Sequence, residues 1–462
     1  MNDRSFFPWT WAPILAVMVS AFGPSSRAQA PEPISLERAI ELALAHAPEV
    51  AVAFANENEG AAGARLAEDA LNPEAVLTTT PGYAQGLPGG TGGRLPAIAE
   101  VEVRKALFDP ARRADAYEAR SRWSLARARL EAARVTTARA VVAAYGRCWA
   151  DEARLADAQR RLEAYGRLRA QAEALLAEGR ATPLEVERAA LLEAQARQTR
   201  LDRESDRDLD QLELRLLIGW AANTPLRLLG DPLTSLPDSR EGDDLALART
   251  ADGELRGLDA AAHSLERAET WRGRWWAPVV NVAAQYSRLV HYSGYDDFYR
   301  TFKADNWSAG LWVGLPLWTG GRAADAAARV QADREGVLAR RRARESELEL
   351  QVRRAEAALA RATARTSLAR RAEGVAQGEL QVARTLEAEG RARAAEVESR
   401  EVAVADAHDE VVRAQEELLG ARAQRLSLRG ELLSAPTPPQ TADSLVPTAD
   451  AAGSGGETRS QP

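Results

Sequence analysis

The chain predicts a mainly α protein built of two tandem structural repeats, each a long α-helical coiled-coil hairpin that carries two β-strands. Three observations predict it. The stretch 178–186 (EGRATPLEV) is written again at 389–397 (EGRARAAEV), which sets Gly179 and Gly390 211 residues apart. Each copy divides two long, Ala-rich, Leu/Val-periodic, charged segments. A Gly inside a helix costs about 1 kcal/mol relative to Ala, so each reads as a helix end. Two further pairs repeat in the same order: 72–83 (NPEAVLTTTPGY) with 277–286 (APVVNVAAQY), and 106–112 (ALFDPAR) with 316–322 (PLWTGGR). Shared features in constant order and at nearly constant spacing mark an internal duplication. The repeats are read as 31–242 and 243–434. Their strands are expected at about 74–83 and 97–108, then about 278–288 and 306–318, with tips at about 179–183 and 390–394.

At the N-terminus, Arg4, an apolar run over 6–22 and the site Ala28-Gln29-Ala30 form the pattern of a signal peptide, residues 1–30. Pro8 and Pro13 and the short length argue against a membrane-spanning helix. No later run of apolar residues is long enough to span, so an exported chain without a transmembrane helix is expected. No cysteine follows the cleavage site, which speaks against an N-terminal lipid.

A short amphipathic helix over 35–47 is capped by Ser35 and interrupted by Pro48, and a second helix runs over 50–71. The stretch 97–108 alternates, with Ala97, Ala99, Val101 and Val103 on one face and Glu100, Glu102 and Arg104 on the other. Period two with charge on one side predicts a sheet with one wet face. The loop 84–96 is Gly- and Pro-rich, hence exposed. From 111 to 178 the pattern is helical, with Val141, Cys148, Leu155 and Leu162 at heptad steps. Such a helix spans roughly 100 Å, a length that suits a coiled coil or a tube rather than a globular domain. Thr182 and Pro183 supply an N-cap and a first-turn proline for the return helix, 184–220. A loop-rich segment, 223–242, closes the first half.

The second half carries a helix over 254–274 and then a dense run of aromatics that includes Trp271, Trp275, Trp276, Tyr286, Trp307, Trp312 and Trp318. Along 307–317, Trp307, Ala309, Leu311, Val313, Leu315 and Leu317 share one face, opposite Ser308, Gly310, Trp312 and Gly314. An apolar face, a small or polar face and aromatics at both ends are the pattern of a transmembrane barrel strand. Four strands cannot close a barrel, and an open edge cannot lie in lipid, so several chains must pool their strands. The second long helix, 320–389, carries Leu368, Val375 and Val382 in heptad register. Val397, Val404, Val411 and Leu418 follow the second tip. The composition of 435–462 reads as a disordered tail.

The chemistry is as informative by what it omits. With a formal net charge of −7 and no basic stripe interleaved with aromatics, the chain is no nucleic-acid binder. One cysteine, Cys148, excludes an intramolecular disulfide and a cysteine-based metal site. His46, His263, His291 and His408 are dispersed, and no catalytic or phosphate-binding motif is present, so neither an enzyme nor a cofactor or metal is expected.

These features together resemble the TolC-like outer membrane efflux protein family over roughly 34–433. The resemblance rests on the duplication, on the tip pattern Gly-x5-Glu-Val at Gly179/Glu185/Val186 and Gly390/Glu396/Val397, and on the junctions LFDPAR and LWTGGR. It implies a homotrimer whose strands form one β-barrel in outer-membrane lipid, continued by an α-helical tunnel across the periplasm. It also implies a periplasmic adaptor and an inner-membrane transporter as partners. On that resemblance Gly179, Arg180, Gly390 and Arg391 are adaptor-docking tips, and Glu185, Glu396, Arg391 and Arg393 belong to a periplasmic gate. Glu100, Glu102 and Arg104 would face the barrel lumen. The sequence departs from the family at Ser399, where a second acid is expected, and at Ala392, where a closed-state arginine is expected. Arg391 and Arg393 are the two candidates to replace that arginine as partner of Glu185. An exported coiled-coil scaffold with a small soluble β-domain is the competing reading. The adaptor of such a pump would carry one hairpin, not two.

Overall fold

The computed structural model describes residues 32–79, 97–237, 242–289 and 303–433. The expected signal peptide, most of the loop after the first strand, His291 and the C-terminal tail lie outside them.

The first repeat begins with β1 (Glu32–Ile34), α1 (Leu36–His46) and α2 (Pro48–Asp69). Ser35 caps α1 by accepting from the Arg38 N–H, and Pro48 opens α2 where its missing N–H costs nothing. Then come β2 (Glu74–Thr78), β3 (Ala97–Phe108), α3 (Pro110–Ala177) and α4 (Pro183–Leu217). Asp109 caps α3 through the N–H groups of Ala111 and Arg112. The connection holds a short strand, β4 (Leu226–Leu228), and one helical turn, α5 (Pro232–Ser235). The second repeat runs α6 (Asp244–Ala251), α7 (Gly253–Arg272), β5 (Val279–Leu289), β6 (Asp305–Gly314), α8 (Arg322–Ala388) and α9 (Ala394–Leu428).

Four expectations are corrected. The first strand was expected to reach residue 83, but β2 ends at Thr78, and 80–83 lie outside the described residues. The last strand was expected to reach 318 and stops at Gly314, because Pro316 has no N–H to extend a ladder. The segment 223–242 is not mere loop, since β4 pairs parallel with β1. A separate helix, α6, precedes α7 where one helix was expected, and Asp252 caps α7 through the Leu255 N–H.

Helices α4, α3, α9 and α8 pack side by side in that order, and towards the sheet the order is α2, α3, α7, α8. Helix α3 is thus the central strut, touching both hairpins. The largest core sits where α1, α3, α4 and α9 meet: Leu36, Val141, Val142, Leu214, Ile218 and Leu419 are all buried there. Burial of each such side chain contributes about 1.5–3 kcal/mol. Gly146 lets α9 approach α3, because a Cβ there would lie 2.6 Å from the Leu419 methyl Cδ2. Buried Tyr145 ties the connection to the core: its hydroxyl lies 3.1 Å from the Ile34 carbonyl and 2.9 Å from that of Leu229, and accepts from the Leu229 N–H.

Small residues form the contact between α8 and α9. Ala369 packs with Val411 and Ala414, and the Thr366 hydroxyl donates to the Ala362 and Ala414 carbonyls. The heptad positions Leu368, Val375 and Val382 point away from this contact and are 67%, 62% and 59% exposed. Small side chains permit close helix approach, so the larger ones are left for the outer surface.

Candidate functional site

Two regions gather the candidate residues: the sheet and the hairpin tips.

The sheet has the order β2-β3-β5-β6, all antiparallel. Its register sorts every side chain by face. Val101 pairs with Leu77 and Tyr286, Val103 with Ala75 and Ala284, and Leu311 and Val313 with Val282 and Val280. Paired residues share a face, so Val101, Val103, Leu311 and Val313 lie on one continuous apolar surface, as the alternation predicts. That surface is exposed in the single chain: Leu311 is 62% and Trp307 79% accessible. Aromatics end it on both sides, with Tyr286 opposite Trp307 away from the helices and Trp275, Trp276 and Trp318 near them. The seven steps from Val279 to Tyr286 run about 24 Å along the strand.

Glu100, Glu102 and Arg104 lie together on the opposite face, with Glu74 opposite Arg104 and Thr78 opposite Glu100. The Arg104 guanidinium makes a two-pronged ion pair with Glu102. Asn281, Gln285, Gly310 and Trp312 continue this face. Trp312 lies over Gly314, where a Cβ would meet its ring at 2.3 Å. The outer edges of β2 and β6 pair with nothing among the described residues.

The two tips are built alike. Gly179 and Gly390 take φ of 71° and 69°, which L side chains rarely adopt. Their N–H groups donate to Leu176 and Glu387, and those of Arg180 and Arg391 donate to Leu175 and Leu386. This double bond is the Schellman closure that satisfies carbonyls left over by a helix end. A Cβ on either glycine would meet nothing within 4 Å, so backbone conformation alone selects Gly. Arg180 pairs with Glu178 and Arg391 with Glu389, each at 3.0 Å and exposed.

The gate candidates divide. Glu185 belongs to a capping box: its carboxylate accepts from the Thr182 N–H at 2.6 Å, while the Thr182 hydroxyl accepts from the Glu185 N–H. The spacing Thr-x-x-Glu spells this box in the sequence. Those two Thr182 bonds, then Arg188 and Arg393, hold Glu185 below the usual carboxylate range. Arg393 makes no ion pair with Glu185 and adds only a minor lowering to it, and exposed Arg391 pairs with Glu389. Glu396 occupies the matching third position of α9. Arg393 is the N-cap there and makes no side-chain cap, so exposed Glu396 has no box to join.

Ionic links and a histidine hydrogen bond lace the contact between α3 and α9. Arg154 reaches Glu416 at 2.6 Å and Asp409 at 3.7 Å, Arg161 reaches Asp406 at 2.9 Å, and His408 Nδ1 meets buried Asp157 at 2.7 Å. On the α4 side, buried Asp151 is pushed up to about 7 by burial and by a hydrogen bond shared with Asp210. Cys148, one turn earlier, is buried and pushed up to about 12, mainly by burial, and is an inert thiol. No group of ligands among the described residues could hold a metal ion, and no described helix is long and apolar enough to cross a membrane.

Residues 39–220 match the family model of outer membrane efflux proteins. No curated protein matches in sequence. Solved structures share the fold over both repeats. The outer membrane protein VceC from Vibrio cholerae is 18% identical with a TM-score of 0.68, over 86% of this chain and 96% of its own. CusC is 15% identical with a TM-score of 0.70, over 86% and 92%. The open state of the MtrE outer membrane channel from Neisseria gonorrhoeae is 16% identical with a TM-score of 0.69, over 86% and 89%. At such identities the likeness establishes the fold.

Proposed function

We propose that this chain, a member of the outer membrane efflux protein family by its residues 39–220, is the outer-membrane duct of a tripartite efflux pump or type I secretion system. It is a conduit rather than an enzyme. The observation that carries the reading is the sheet: one continuous apolar face, one polar face and two edges unpaired among the described residues, joined to helices of 68 and 67 residues. Unpaired edges are unsustainable in lipid, and a rotation that brings β6 of one copy against β2 of the next closes them. Open edges on the same two sides of the helical layer, α2 and α4 against α8, favour the same rotation. Three copies then give a twelve-stranded barrel over a helical tunnel, as the family resemblance implies. Val101, Val103, Leu311 and Val313 face lipid in this reading, and Glu100, Glu102 and Arg104 line the lumen.

The helical tunnel extends into the periplasm. Gly179 with Arg180 and Gly390 with Arg391 stand at its far end to meet an adaptor, which links the duct to an inner-membrane transporter. Glu185, Glu396, Arg391 and Arg393 surround the entrance. The repeats are taken as 31–242 and 243–434, behind a cleaved 1–30. A soluble scaffold is disfavoured by the width of apolar sheet surface left bare.

The test is conductance of the purified full-length protein in planar bilayers, with fractionation of cells. Stable channels and recovery with outer membranes are expected. A protein extracted without detergent that forms no channels overturns the reading.

A further inference from the structure

We propose that the rim where the sheet meets the helices is a binding surface for anionic phospholipid headgroups of the periplasmic leaflet, built from Lys105, Phe108, Arg113, Trp271 and Arg274. The inference rests on the reading above that the apolar sheet face meets lipid.

The placement follows from the register. Lys105 pairs with Val282, and Phe108 with Val280 across a bulge, so both share the apolar face at its helical end. The Phe108 ring meets the edge of Trp271 with centroids 6.0 Å apart. Arg113 lies over both rings, 5.6 Å from Phe108 and 4.8 Å from Trp271, and Arg274 lies 4.7 Å from the Trp271 ring. Trp271 is thus held by two guanidinium groups.

The charges gathered at this rim are left without carboxylate partners among the described residues. Most of the chain's arginines are engaged by carboxylates; neighbouring Arg272, for one, is held by Asp115 and Glu118. Lys105, Arg113 and Arg274 meet no carboxylate among the described residues, and Lys105 and Arg274 are exposed. A lysine on an otherwise apolar strand face is costly at the bilayer centre and suits only its boundary, where it can reach the headgroups. Stacking on an aromatic face orients a guanidinium and leaves its N–H donors free, and those donors match phosphate oxygens as a fork. Tryptophan favours the same depth. Three unneutralised cations, aromatic rings and an adjoining apolar band fit one occupant, a lipid whose acyl chains lie on the band and whose phosphate meets the cations.

The experiment titrates the detergent-solubilised full-length protein with short-chain phosphatidylglycerol, short-chain phosphatidylcholine and inorganic phosphate, reading thermal stability. Incorporation into nanodiscs is measured in parallel. Wild type is expected to incorporate and to bind phosphatidylglycerol more tightly than phosphatidylcholine. The preference should fall about fivefold for each cation removed in Arg274→Gln and in Arg113→Gln/Arg274→Gln, whereas Arg274→Lys retains most of it. Incorporation without any headgroup preference, an unchanged preference in Arg274→Gln, or equal stabilisation by inorganic phosphate overturns the lipid site and leaves the duct standing. Failure of wild type to enter nanodiscs at all overturns the duct reading and the lipid site with it.

Discussion

Glu185 and Glu396 hold the same third position in the helices that follow the two tips, yet only Glu185 is tied down. Thr182 binds it through a backbone N–H at 2.6 Å and a hydroxyl at 3.1 Å, while Arg393 at the matching cap position offers Glu396 no such bond. The two copies share the acid, and only the first has the box.

The free acid is the one expected to act on ions. In the proposed trimer three copies of Glu396 would form an acidic ring around the entrance, and Ser399 stands where the family resemblance implies a second acid. Glu396→Gln is expected to lower cation selectivity and sensitivity to block by multivalent cations, with assembly unchanged, because the carboxylate has no structural partner to lose. Single-channel recordings decide this. Identical selectivity and block in both proteins would place Glu396 away from the pore.

At the tips the glycine itself is the target. Gly390→Leu puts a side chain into open space but on a backbone with φ of 69°. The strain is local, so on the proposed duct reading trimers are expected in the membrane while efflux is lost, because the proposed docking end is altered. Cell-based efflux alongside native gels measures both. Wild-type efflux would confine the glycine to ending a helix.

On the sheet, Leu311 and Gly310 are neighbours on opposite faces. On the proposed reading Leu311 faces lipid, where an arginine should cost about 2–4 kcal/mol near the midplane. At Gly310 a Cβ meets nothing within 4 Å, so the lumen side has room for it. Leu311→Arg should impair membrane assembly more than Gly310→Arg. Equal assembly of the two variants would reverse the faces.

Asp151 sets a pH dependence of stability. Burial and Asp210 raise it from an ordinary 3.8 to about 7, so the folded state holds a proton that the unfolded chain releases. Stability is therefore highest below pH 4 for this group and declines as pH rises from about 4 to about 7. Asp151→Asn should flatten that slope and melt higher than wild type at pH 8. Melting temperatures across pH 4–8 provide the check, and parallel curves for both proteins would refute it.

Much of this was legible in the sequence because the signals are periodic. Alternation along 97–108 located β3 and sorted its faces, and the EGR repeats located both tips with their glycines. Other features depend on which elements meet. Heptad spacing identifies Leu368, Val375 and Val382 as an apolar line but cannot say whether the same chain covers them. Nor can spacing choose between Arg391 and Arg393 for Glu185, since the family resemblance puts that partner on a neighbouring hairpin. Short pieces such as β4 and α5 have no period to detect: β4 exists through β1 and the Tyr145 hydroxyl beside it, and α5 through its Asp231 cap and Leu233 on the core. The stacked arginines around Trp271 were missed because their residues come from α3 and α7, far apart in the chain. The aromatic density around Trp271 was visible; its partners were not.

The two unpaired sheet edges carry a genetic consequence. Every junction of the proposed ring joins the β6 edge of one copy to the β2 edge of the next, so a copy damaged at one edge still offers a sound one and is still recruited. It then leaves a gap that its intact companions cannot fill. Such an allele, expressed beside the wild type, would spoil channels out of proportion to its own abundance, while a null allele would not.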